Sequence, residues 1–340
     1  MPAEPRFLKA CRGEPTDVTP VWFMRQAGRY LPEYRALRAR HSLLELCHDP
    51  ALAAEVTLQP VRRLGVDAAI LFADILLPFE PLGLGLSFAS GEGPQIANPI
   101  RDAAAVHALP DVDAESALGF VLDAVRLAAG ALPDDVPLIG FAGAPFTLAS
   151  YAIEGGATRT FALTKRFMYT ESAAWHALLA RLADFAGRYL AAQAAAGARA
   201  LQLFDSWVGC LSADDYRAFV LPHTRHALAV AGASGVPVIH FGTDTTAFLE
   251  DFGSAGGDVV GVDWRIGLDE ARRRLGSRPV QGNLDPAALF APADELAARV
   301  RDVLRRAGKA PGHIFNLGHG VLPETPVDAV LDVVRWVHGG

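Results

Sequence analysis

Pro20-Val21-Trp22-Phe23-Met24-Arg25-Gln26-Ala27-Gly28-Arg29-Tyr30-Leu31-Pro32-Glu33-Tyr34-Arg35-Ala36-Leu37-Arg38 is the stretch from which the rest of the chain is read. Val21 to Met24 is a short apolar run of strand character that stops at a polar segment carrying two arginines around a glycine. Such a junction aims side chains out of the end of a sheet. Gly28 lets the backbone turn sharply or approach a ligand closely. Arginine offers five donors in a planar fork that fits a carboxylate or phosphate, and it keeps its charge when partly desolvated. Arg25, Arg29, Arg35 and Arg38 fall within fourteen residues of a chain whose net charge is −7, so the segment is expected to hold an anion.

Outward from this stretch, one unit recurs: an apolar or β-branched run, a polar or glycine-containing corner, then an Ala/Leu/Arg-rich stretch of helical period. Strands are expected at Val18–Met24, Val66–Phe72, Val136–Phe141, Ala198–Phe204, Val236–Phe241, Asp258–Val262, Arg278–Gln281 and His313–Leu317. Helices are expected at Leu43–Leu64, Ala114–Ala129, Glu171–Ala196, Ala213–Ala231, Thr245–Phe252, Leu268–Arg274, Ala293–Ala307 and Val327–Val337. Asp49-Pro50 marks a helix start, an N-cap followed by proline at the first helical position. Eight alternating units predict an α/β chain with parallel strands, a single-domain (β/α)8 barrel over residues 1–340. An open doubly wound sheet is the alternative, weakened because no dinucleotide glycine fingerprint follows the first strand. Two insertions, Leu77–Pro110 and Ala144–Tyr169, are expected to shape or cover a pocket at the C-terminal ends of the strands.

Composition narrows the function. The acidic balance argues against a protein whose whole surface attracts nucleic acid, and no basic run is interleaved with aromatics. No apolar run reaches membrane-spanning length, and Met1 to Arg12 contains no signal-like apolar core, so a cytoplasmic protein is expected. Cys11, Cys47 and Cys210 form neither a disulfide framework nor a metal-binding spacing.

Four strand ends carry candidate chemistry. Asp74 follows Ala68–Phe72 with apolar residues on both sides, a setting that is costly for a carboxylate unless something pairs with it; capping the next turn is its plainer role. Tyr151 follows Gly140-Phe141-Ala142-Gly143-Ala144-Pro145-Phe146-Thr147-Leu148 and precedes Glu154-Gly155-Gly156. In Leu201-Gln202-Leu203-Phe204-Asp205-Ser206-Trp207, the period of two puts Gln202, Phe204 and Ser206 on one face. Asn316-Leu317-Gly318-His319-Gly320 sets a histidine between glycines at the last strand end.

Met24-Arg25-Gln26-Ala27-Gly28-Arg29-Tyr30-Leu31-Pro32-Glu33 closely resembles the N-terminal signature of the uroporphyrinogen decarboxylase family, and the four other regions match it in order. The resemblance implies removal of carbon dioxide from the four acetate side chains of uroporphyrinogen, giving coproporphyrinogen, by a homodimer without cofactor or metal. It assigns catalysis to Asp74, Arg25 and Arg29, and substrate contact to Arg25, Gln26, Ala27, Gly28, Arg29, Asp74, Tyr151, Phe204, Ser206 and His319. Arg25, Arg29 through a water, and His319 are the candidates for protonating the ring. Phe146 departs from the tryptophan often found at its position. Lys9, Lys165 and Lys309 are the only lysines and none stands at an expected strand end, so no Schiff base is available and the substrate must act as its own electron sink. Two rivals are a zinc-dependent methyltransferase of the wider superfamily, which needs a His-x-Cys where this chain has His240-Phe241-Gly242, and a non-catalytic tetrapyrrole carrier that would not need Asp74.

Overall fold

The computed structural model describes residues 4–89 and 93–339. Its strands are β1 (Ala69–Ile70), β2 (Leu86–Ala89), β3 (Gly93–Ile96), β4 (Leu138–Gly143), β5 (Ala200–Asp205), β6 (Val238–Gly242), β7 (Val259–Gly261), β8 (Val280–Gln281) and β9 (His313–Ile314). β1 and β4 to β9 make one curled parallel sheet in the order β1-β4-β5-β6-β7-β8-β9, and β2 pairs antiparallel with β3 as a hairpin. Helices cover the outside of the parallel sheet, as alternation of the two periods requires.

The expected first strand, Val18–Met24, is reduced to one bridge, Val21 with Phe315. Side chains take over the hydrogen bonds that a longer ladder would make. Val21 N–H donates to Asp67 Oδ2, Phe23 N–H to Gln26 Oε1 and Met24 N–H to Asn316 Oδ1. The bridge nevertheless joins the two edges of the sheet: Phe315 N–H donates to Pro20 O, Trp22 N–H to Phe315 O, and Asp67 N–H to Val21 O. Val21 is therefore the eighth stave, and the seven-stranded sheet becomes a ring.

The ring interior is visible in a polar chain between staves that are not neighbours. Trp22 Nε1 donates to Gln281 Oε1 at 2.9 Å, and Gln281 Nε2 donates to Gln202 Oε1 at 3.0 Å. These groups can meet only across the lumen. Alternation then sends Phe204 and Phe241 to the lumen side, while His240 turns outward and stacks on Phe252 of the helix Leu249–Ser254 at 3.7 Å.

Several expected helices are divided. Leu43–Leu64 breaks at Asp49, which ends Leu43–His48 and caps Pro50–Leu64 through the N–H groups of Ala51 and Leu52. Ala213–Ala231 begins as a short helical turn, passes through a π-turn at Tyr216–Val220 and continues as Leu221–Gly232. The insertion Leu77–Pro110 contains the β2–β3 hairpin; its residues 90–92 lie outside the described residues, as do 1–3 and 340. Ala144–Tyr169 folds into Pro145–Glu154 and Ala162–Thr170 on either side of the Gly155-Gly156 break. No helix among the described residues is long and apolar enough to cross a membrane.

Candidate active site

A cavity of about 390 Å³ opens at the C-terminal ends of the strands. Arg25, Ala27, Gly28, Arg29, Asp74, Tyr151, Phe204, Ser206 and His319 all line it, although they come from segments spread over nearly 300 residues of sequence. Gln26 does not. Its side chain is fully buried, accepting from Phe23 N–H and donating from Nε2 to Ala68 O at 3.0 Å. The side chain is a brace that folds the arginine loop against β1. A polar residue in an irregular loop has no period to reveal which way it points.

Asp74 follows β1 at the point where the chain turns into Leu77–Phe79, and its Oδ1 accepts the Leu76 N–H at 2.9 Å. The carboxyl group therefore does cap a turn, while also facing the cavity. Burial raises its pKa, against the pull of the Leu76 N–H and of Arg25. A ligand that brings N–H donors would favour the charged form further.

Arg25 adopts a left-handed backbone conformation, φ 60°, which is strained for a side chain of this size. Its stem lies across Gly320, where an added Cβ would sit 2.4 Å from Arg25 Cδ. The last strand end thus supplies the floor on which the first loop's arginine rests, and Val321 N–H donates to Met24 O to fasten the two loops. Both Arg25 and Arg29 are exposed at the cavity mouth, and neither is paired with a described carboxylate. Arg35 and Arg38 are elsewhere: they donate to the carbonyls of Tyr30 and His41 and do not line the cavity.

His319 is pushed down to about 4, by burial first and then by Arg25, so its imidazole is neutral at neutral pH. The Tyr151 hydroxyl is pushed up to about 12, by burial and by Asp74. The Tyr151 ring stacks on Trp207 at 3.8 Å, and Phe161 meets the same indole in a T-shaped contact at 5.2 Å. Phe204 sits between Phe141 and Phe241, edge-on to both at 5.6 and 5.8 Å, and makes an aromatic row across β4, β5 and β6. Phe141, Phe241, Tyr34 and Phe88 line the cavity without having been singled out in the sequence. The alternation that selected Phe204 holds the same signal for Phe241.

Among the described residues, no three His, Cys, Asp or Glu side chains gather in a way that could hold a metal. His240, the residue of interest for the methyltransferase alternative, faces the helical layer.

Barrel enzymes place their chemistry at this end of the strands, and the charges gathered here suit a small, polyanionic ligand. The family model for uroporphyrinogen decarboxylase (URO-D) matches residues 2–340. Uroporphyrinogen decarboxylase of Sorangium cellulosum is 60% identical over 334 residues, covering 98% of this chain and 95% of that one. The enzyme of the same name from Thermus thermophilus is 54% identical, covering 97% and 96%. The chain belongs to the uroporphyrinogen decarboxylase family. In fold it is similar to a methyltransferase from Methanosarcina mazei, with a TM-score of 0.79 at 19% identity and coverage of 98% and 97%. It is also similar to a B12-independent methionine synthase from Shewanella sp. W3-18-1, at 0.59 and 12%, covering 86% of each chain.

Proposed function

We propose that this chain is a carboxy-lyase that converts the four acetate side chains of uroporphyrinogen III to methyl groups, giving coproporphyrinogen III and four carbon dioxide molecules. Full-length identity to enzymes of that name supports the activity. The observation that carries the site is Asp74, a carboxyl group set in the wall of a cavity that it shares with two arginines having no described carboxylate partner.

In this reading the pyrrole N–H groups converge on Asp74, and the acetate and propionate carboxylates meet Arg25 and Arg29. Protonation of the ring carbon beside the acetate-bearing carbon gives an iminium-like cation. The bond to the carboxylate then breaks, carbon dioxide leaves, and the electron pair flows into the ring as an exocyclic methylene. A proton added to that methylene and one lost from the ring carbon give the methylpyrrole, so each cycle takes up one proton. Asp74 stabilises the cation, and a charge-assisted hydrogen bond contributes about 1.5 to 3 kcal/mol. Each ~1.4 kcal/mol gained in the transition state alone is tenfold in rate. With its imidazole neutral, His319 suits hydrogen bonding to substrate better than delivery of an imidazolium proton, which leaves Arg25, or Arg29 through a water, as donor. We further propose a cytoplasmic homodimer that acts without cofactor or metal.

Purified protein given uroporphyrinogen III under anaerobic conditions, after dialysis against a chelator, is expected to release four carbon dioxide per tetrapyrrole. Release that appears only when zinc is restored would return the methyltransferase alternative.

A further inference from the structure

Behind the Ser206 side of the cavity lies a carboxyl group that no step above uses. Asp205 ends β5 with its side chain fully buried. The Thr147 hydroxyl donates to Asp205 Oδ1 at 2.9 Å, and Thr147 Oγ1 itself accepts the Trp207 backbone N–H at 3.3 Å. Thr147 stands one turn before Tyr151 on the helix Pro145–Glu154, and Trp207 is the indole on which Tyr151 stacks. Carboxyl, hydroxyl and amide thus join the end of β5 to the helix after β4 and fix the spacing of two cavity side chains, Ser206 and Tyr151. Thr243 Oγ1 braces the same corner from β6's side by donating to Ser206 O at 2.6 Å.

A hydroxyl has one proton to donate. Thr147 directs that proton to Asp205 and so leaves a lone pair for the Trp207 amide. Asp205 Oδ2 and the Tyr216 hydroxyl are both buried without a hydrogen-bond partner among the described residues, so the Thr147 bond is what orients the carboxyl group.

We propose that Asp205 is a positioning residue for the decarboxylation: through Thr147 it holds the Ser206–Trp207 corner and the Tyr151 ring in register with Asp74. The inference rests on the decarboxylase function only for its kinetic assay. Burial pushes the Asp205 carboxyl up to about 7, the Thr147 bond opposing it. Its titratable neighbours are Tyr216, on the turn Tyr216–Val220, and Cys210, on the turn Val208–Cys210. Tyr216 is raised well above its ordinary range and Cys210 is pushed up to about 11, so both keep their protons through neutrality. No cation is among the influences on Asp205. Ionisation strengthens its bond to Thr147, since a charged acceptor holds a donor more tightly.

The test compares wild type, Asp205→Asn, Thr147→Val and Thr147→Ser between pH 6 and 8, each checked for folding by circular dichroism. Wild-type KM is expected to fall several-fold as pH rises through 7, and Asp205→Asn to keep the higher, acidic-limb KM throughout. Thr147→Val should raise KM about tenfold at every pH, and Thr147→Ser should restore the wild-type profile. Intrinsic fluorescence, with Trp207→Phe as reference, should show the same step in wild type and lose it in Asp205→Asn. A Thr147→Val enzyme within twofold of wild type, or an Asp205→Asn enzyme that keeps the pH step, overturns the proposal. If Asp205→Asn does not fold, the Thr147 pair decides. A wild type that releases no carbon dioxide counts against the decarboxylase function alone, and the fluorescence titration still decides the role of Asp205.

Discussion

Arginines at the two ends of the barrel are treated in opposite ways. At the N-terminal end, Arg6 donates to Asp17 at 3.0 and 2.6 Å and to Asp67 at 2.9 Å, and Asp67 also accepts from Val21 N–H and meets His338 Nε2. At the cavity mouth, Arg25 and Arg29 have no described carboxylate to neutralise them, and Arg25 is further held in a left-handed conformation. Charge at one end closes on itself and fastens the C-terminal helix to the first stave. Charge at the other is left open, which raises local repulsion but keeps donors available for a ligand. The difference separates arginine that holds the fold from arginine left free at a cavity.

The largest expected effect comes from the carboxyl group that shares the cavity with the open arginines. Asp74→Asn keeps size and shape but loses the charge that offsets a protonated pyrrole. Turnover should fall by about 100-fold or more, while affinity for coproporphyrinogen changes only a few-fold. Steady-state kinetics with equilibrium binding would measure both, and near-normal turnover would remove Asp74 from the chemistry. Next comes Arg29→Ala, which should raise KM about tenfold and lower turnover together, because a carboxylate clamp both binds and orients. An unchanged KM would mean that the open arginine is not a substrate clamp. The smallest effect belongs to the closed end. Arg6→Ala should leave KM and turnover alone and lower the melting temperature by a few degrees, in keeping with about 1 kcal/mol for a partly exposed ion pair. A changed KM there would dissolve the contrast between the two ends.

Much of the fold was legible because its signal is periodic. All eight staves were located from apolar and β-branched runs, and Ala293–Ala307 was placed to the residue. The ends of strands were less legible, because Gln26, Asn316 and Asp67 side chains replace ladder hydrogen bonds and no local pattern announces that. The site followed the same division. Asp74, Phe204, Ser206 and His319 stand directly at or after strand ends, where chain direction tells where a side chain must point, and all four line the cavity. Gln26 lies in a loop, where direction is set by contacts distant in sequence. Phe141 and Phe241 were readable on their strands, yet an apolar residue carries no charge to mark it as anything other than core.

Closure through Val21 has a consequence for how the protein is made. The first stave pairs with residues far along the chain, and the bond between Met24 N–H and Asn316 Oδ1 spans 292 residues. While the ribosome is still translating the middle of the message, the finished strands can pair with one another, but Arg25 has no Gly320 beneath it and Asp74 shares no cavity with His319. The cavity therefore arrives as a single event, with the segment around Asn316 to Gly320, and a nascent chain cannot enclose it before that segment has emerged.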